Sequence, residues 1–151
     1  MPEKRTIKRA HKDAKEGKAP STQAGEFVRE EMDHIRAGKH GARSSKQAIA
    51  IGLSKARRAG VKLAPPKKGK ASEATRKKAQ RESEKGRKHP NAKPNRKRSQ
   101  ATKKALQREG RSAASKKSLS KHAKQAASKR RTTSKRPAAK KTSAKRASRK
   151  R

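Results

Sequence analysis

Nine of the thirteen large apolar side chains in this sequence (Ile, Leu, Val, Met, Phe) fall between Phe27 and Leu63. They are Phe27, Val28, Met32, Ile35, Ile49, Ile51, Leu53, Val61 and Leu63, and beyond Ala64 only Leu106 and Leu119 remain. A chain of 151 residues has the length of one ordinary domain, but thirteen such side chains cannot bury a core along all of it. Charge divides at the same place. Residues 1–66 hold 16 basic and 7 acidic residues, net +9; residues 67–151 hold 34 and 4, net +30, which together make the formal +39. Where hydrophobicity is low and like charge is high, burial does not offset chain entropy. The expected fold class is therefore mostly α with extensive disorder: a small helical hairpin followed by a long cationic low-complexity tail.

The apolar segment reads as two helices. Ser21 or Thr22 can cap the first, and Ala24, Phe27, Val28, Met32 and Ile35 follow at helical spacing as one stripe. Glu26, Glu30, Glu31 and Asp33 populate its other faces, and Ala37-Gly38 is a stop signal. Ser44 and Gln47 have capping-box spacing and open the second helix, in which Ala48, Ile49, Gly52, Leu53 and Ala56 share a face. Gly52, without a side chain, allows a neighbouring helix to approach closely. The run Ala48–Leu53 also alternates as a strand would, but the capped flanks and the SKARRAG continuation favour helix. The five-residue linker 39–43 suits antiparallel packing. The hairpin core is then Phe27, Val28, Met32, Ile35, Ile49 and Leu53, with Val61 and Leu63 folding back as a lid. So small a core is marginal, and Ile51 off the main stripe favours self-association or a protein partner for residues 21–63.

The expected division is a basic N-terminal arm (1–20), the hairpin (21–63), a charged linker with a solvated helix (64–96) and a Lys/Arg/Ala/Ser-rich tail (97–151). Pro65-Pro66 marks the boundary, since neither residue continues a helix. In Ser72–Lys85, Glu73/Lys77 and Lys78/Glu82 stand at i,i+4. Residues 89–95 are a breaker cluster. Residues 97–109 and 112–128 are helix formers expected to order against phosphate.

Several function classes fall away. With no cysteine there are no disulfides, thiolate metal sites or thiol chemistry. The longest apolar run, Ala48–Leu53, is far below the ~20 residues that span a bilayer, so no membrane partner is expected. The N-terminus has no apolar stretch after its charges, unlike a secretory signal. Glu3, Asp13 and Glu16 argue against a transit peptide. Of the five histidines (His11, His34, His40, His89, His122), His34 stands one turn from Glu30, but spacing supplies no third ligand. Metal ligands and cofactors are therefore expected to be none. Glu30, Glu31 and Asp33 read as ion-pair partners of Arg57, Arg58 or the tail. Gly17-Lys18 and Gly69-Lys70 lack the upstream glycine of a phosphate-binding loop. No catalytic arrangement stands out, and an enzyme is not expected.

A net +39 calls for a polyanion. With Phe27 as the only aromatic, there are no stacking platforms for single strands or RNA loops, which favours backbone binding to duplex DNA, with RNA as the alternative. Phosphate-contact candidates on the second helix are Arg57 and Arg58. Next come Lys67, Lys68, Arg87 and Lys88, then Arg96, Lys97, Arg98, Lys103 and Lys104. Further along are Lys116, Lys117, Lys129, Arg130 and Arg131. The last are Lys135, Arg136, Lys140, Lys141, Lys145, Arg146, Arg149, Lys150 and Arg151. Lys85–Pro90 and Lys135-Arg136-Pro137 loosely resemble minor-groove hook cores, without the full Arg-Gly-Arg-Pro.

Two resemblances add to this. Residues 103–151, with KKSLSKHAKQAASK and RPAAKKTSAKRASRKR, are similar to the lysine-rich tails of linker histones and of bacterial histone H1-like proteins. The chain lacks the apolar residues of a linker-histone winged helix and has no Ser-Pro or Thr-Pro. Residues 21–63, with the core SSKQAIAIGLSKARRAG, resemble a family of small basic bacterial proteins carrying a domain of unknown function. The resemblance implies bacterial origin and DNA binding, and brings no catalytic or ligand residues. The function expected is a histone-like, non-sequence-specific DNA-binding protein, cytoplasmic and nucleoid-associated. The alternatives are a ribosome- or RNA-associated basic protein, and an adaptor tethering a partner to nucleic acid.

Overall fold

The computed structural model describes residues 2–89, 92 and 95–134. They form α1 (Lys4–Lys15), α2 (Pro20–Arg36), α3 (Ser45–Arg58), α4 (Glu73–Lys88), α5 (Arg96–Gln107), a 3₁₀ turn (Ser112–Ala114) and α6 (Lys116–Ser134). Among the described residues there is no strand beyond a single bridge between Lys68 and Ala71. The chain divides into two units, residues 1–115 and 116–151.

Within the first unit α2 packs against α3, α1 against α2, α4 against α3, and the 3₁₀ turn against both α2 and α3. The two helices read as a hairpin are therefore the middle of a larger assembly. Residues 1–20, read as an arm, contain α1, whose Thr6 and Ala10 are buried one turn apart. Residues 64–96, read as a charged linker with a solvated helix, do contain a helix, α4, but one that is packed rather than solvated. It buries Ala79, Glu82 and Gly86, and Gly86 lies against the Arg57 carbonyl, where a Cβ would not fit.

The core is built from small side chains. Ala10, Ala24, Phe27 and Ala56 form a buried cluster against which Ile7, Leu53, Ala59, Val61 and Leu63 pack half-buried. Of the six expected core residues, Phe27, Met32 and Ile35 are buried, whereas Val28, Ile49 and Leu53 are half-buried. Ala48, on the expected face of α3, is buried, and so are Ala42, Ala113 and Ala114. The reason is close approach. At Gly52 a Cβ would lie 2.7 Å from the Val28 Cα, so α2 and α3 meet nearly backbone to backbone.

The helix ends follow local chemistry, with one shift. α2 begins at Pro20 rather than after Ser21 or Thr22, with Ala19 at the N-cap and no side-chain cap. Proline at the first position has no N–H to satisfy and a preset φ. The Gly38 C-terminal stop has φ +74°. Ser44 caps α3, its hydroxyl accepting from the Gln47 N–H at 3.3 Å, while Gln47 Oε1 accepts from the Arg43 N–H at 2.8 Å. The capping box thus closes one residue earlier than usual. Asn95 caps α5, accepting from the Arg98 N–H at 3.1 Å. α5 buries no residue, and its alanines, lysines and glutamines carry the helix by propensity. The described part of the second unit is α6, which contains no carboxylate.

Candidate nucleic-acid interface

The expected phosphate contacts on α3 separate in the structure. Arg57 is buried, 8% exposed, and its Nε has no hydrogen-bond partner among the described residues. Its burial means that it is not a surface ligand. Arg58 is exposed, but its guanidinium reaches Glu82 Oε1 at 3.3 Å, where Ser54 Oγ also donates at 2.6 Å. Glu82 therefore serves α3, not Lys78, and Glu73 pairs with Arg76 at 2.7 Å rather than with Lys77.

The other described candidates lie outward. Lys67, Lys68, Arg87, Lys88, Arg96, Lys97, Arg98, Lys103, Lys104, Lys116 and Lys117 are exposed, and among the described residues none of them makes a salt bridge. Lys129, Arg130 and Arg131 are exposed on α6, with Arg130 Nε donating to the Ala126 carbonyl at 3.4 Å. Arg96, Lys97, Arg98, Lys103 and Lys104 give α5 five cations and no carboxylate. α6 carries seven cations, about one per 4 Å of axis at ~1.5 Å per residue. Lys135, Arg136, Lys140, Lys141, Lys145, Arg146, Arg149, Lys150 and Arg151 lie outside the described residues, as does the second hook-like sequence. Of the first hook-like sequence, residues 85–88 form the last turn of α4, with Gly86 buried in the helix rather than in an extended arm, and Pro90 lies outside the described residues.

On the opposite end of the charge scale, α1, α2, α3 and the loop after α2 enclose a network of carboxylates. Glu30 and Glu31 are buried, 4% and 1% exposed, instead of populating the outer faces of α2. Their cation is Lys55: its Nζ stands 2.6 Å from Glu31 Oε2 and 3.6 Å from Glu30 Oε1. Glu30 Oε2 also accepts the Glu3 N–H at 3.2 Å, which ties α1 to α2. Glu3 Oε1 receives His34 Nε2 at 2.8 Å and Lys39 Nζ at 3.2 Å. The His34 hydrogen bond, then Lys39, hold the Glu3 carboxyl below its ordinary pKa. Asp33, the third expected partner of the distant arginines, pairs locally with Arg36 at 3.4 Å.

The same fold brings Glu31, His34 and His40 together, with one ligand atom from each within 4.8 Å of the others. Spacing in the sequence gave no third ligand because His40 comes from the loop. Gly38 turns the chain there, and two bonds hold the loop: Gly41 N–H to the Leu106 carbonyl at 2.8 Å and Ala42 N–H to the Gly110 carbonyl at 3.0 Å. The sequence pointed to Glu30 as the neighbour of His34, whereas the structure supplies Glu31, three residues before His34, and engages Glu30 with Lys55 and the Glu3 N–H.

Residues 3–68 match a family of unknown function (DUF6496). The match takes in α1, α2, α3 and the proline pair, and ends before α4. No curated protein and no solved structure matches the chain. Among the described residues no helix is long and apolar enough to cross a membrane.

Proposed function

We propose that this protein binds duplex DNA along the phosphate backbone without reading sequence, coating or compacting it as a histone-like component of a bacterial nucleoid. The observation that carries this reading is the imbalance of 34 basic against 4 acidic residues beyond Pro66. A cation-only helix face opposite a duplex, with one phosphate charge per ~1.7 Å of axis, gains by counterion release rather than by directed base contacts. The first unit supplies a folded handle in which Arg58 is committed to Glu82 and Arg57 is buried. Its helices α2 and α3, with their connecting loop, form the hairpin-like element proposed for partner or self contacts. The activity proposed is binding, not catalysis.

Charge neutralisation within the full chain tests the division. Changing Lys103, Lys104, Lys116 and Lys117 to Gln is expected to weaken duplex binding well beyond the same change at Lys4, Lys8, Lys15 and Lys46, all of them exposed. Equal losses in a gel-shift titration would refute the assignment of affinity to the C-terminal part. Competition at fixed salt by structured RNA separates the alternative, an RNA-associated role: RNA displacing the protein far more readily than duplex DNA would favour it.

A further inference from the structure

We propose that Glu31, His34 and His40 bind a divalent transition-metal ion of the zinc class. Two imidazoles and one carboxylate are a donor set for such ions, whereas magnesium and calcium prefer oxygen ligands. His40 Nδ1 lies 3.1 Å from the Gly41 carbonyl. A carbonyl only accepts, so Nδ1 carries the proton, and in the neutral ring Nε2 carries the lone pair. That Nε2 faces Glu31 Oε1 at 3.4 Å. Two acceptors so placed are reconciled by a cation between them, either a proton on His40 Nε2 or a metal ion shared by the two, and the zinc titration distinguishes these. Ligands ~2.0–2.1 Å from a tetrahedral zinc stand about 3.3 Å apart, so this pair already spans one edge of the polyhedron.

The supports around the cluster are of the kind that orient metal-binding imidazoles. One ring nitrogen of His40 is held by a backbone carbonyl, and the His34 ring is oriented by the Glu3 carboxylate. Glu31 offers Oε1 to the site while Oε2 is held by Lys55. The local balance admits a cation: the carboxylates of Glu3, Glu30 and Glu31 are set against the ammonium groups of Lys39 and Lys55. The side chains of His34 and His40 are 15% and 14% exposed, which gives an ion access from solvent and leaves a further position for water. His11, His89 and His122 lie outside the cluster.

The test is zinc chloride titrated into the metal-free full-length chain in a buffer without phosphate, followed by calorimetry and by the imidazole NMR signals. The expected result is one ion per chain, with the His34 and His40 signals moving first and those of His11, His89 and His122 unmoved. His40→Ala should weaken binding by roughly tenfold or more, at least the cost of losing an outer-shell partner, and His11→Ala should leave it unchanged. The proposal is overturned if all five histidines respond together, if none responds, or if His40→Ala binds as tightly as the unaltered chain. Should His40→Ala fail to fold, the NMR pattern of the unaltered chain decides alone.

Discussion

Adding one methyl group at Gly52 probes the contact on which the first unit is built. In Gly52→Ala the new Cβ would stand 2.7 Å from Val28 Cα, 2.9 Å from Val28 Cγ2 and 3.0 Å from Val28 N. Carbon atoms pack comfortably at ~3.5–4.0 Å, so α2 and α3 must separate locally by about 1 Å. Two of the three obstructing atoms are backbone and cannot rotate away, which puts the overpacking cost near the top of the usual range, about 3 kcal/mol. Alanine also favours helix over glycine by about 1 kcal/mol. The net expectation is a loss of about 2 kcal/mol. Gly25→Ala on α2 is the matched control. A Cβ there meets nothing within 4 Å, so only propensity acts and stability should rise by about 1 kcal/mol. Urea unfolding followed by far-ultraviolet circular dichroism measures both, since a chain without Trp or Tyr gives no useful fluorescence. The same chemical change should thus move the midpoint in opposite directions. A Gly52→Ala protein as stable as the parent, or more so, would refute the close packing of α2 on α3.

Other outcomes follow from the buried and paired charges. Glu31→Ala leaves Lys55 with only Glu30, at 3.6 Å, and should cost about 3 kcal/mol, the low end for breaking a buried pair, in the same urea experiment. A change below 1 kcal/mol would show that Lys55 escapes to solvent at little cost. Lys18 stands 2.8 Å from both Asp13 and Glu16, and its hydrogen bond holds the Glu16 carboxyl below its ordinary pKa. Glu16 therefore adds stability above the unfolded-state pKa and loses it as pH falls through the lower folded-state value. An NMR titration should show that lowered midpoint, and Lys18→Ala should return it to the ordinary range. A midpoint unmoved by Lys18→Ala would remove Lys18 as the cause.

The end of α2 and the start of α3 were legible because they are local, while the start of α2 fell at Pro20 rather than at a Ser21 or Thr22 cap. Ser44 acts through its hydroxyl and Gly38 through its positive φ, each within one turn, and the sequence shows them directly. So does the close approach at Gly52. What was hidden depends on partners far along the chain. α1 and α4 bury mainly Thr6, Ala10, Ala79 and Gly86, too small to form a visible apolar stripe, so an arm and a solvated helix are what the sequence suggests where packed helices lie. Glu30 and Glu31 looked like surface charges because nothing in α2 announces Lys55, a residue of α3. His40 joins Glu31 and His34 from a loop that is bonded to Leu106 and Gly110, more than sixty residues away.

Binding driven by counterion release shows itself in the salt dependence of duplex binding by the full-length chain. With about 10 phosphates neutralised, the logarithm of the association constant should fall against the logarithm of salt concentration with a slope of about −9. Binding that stays undiminished in molar NaCl, or no binding to duplex at low ionic strength, would contradict the account.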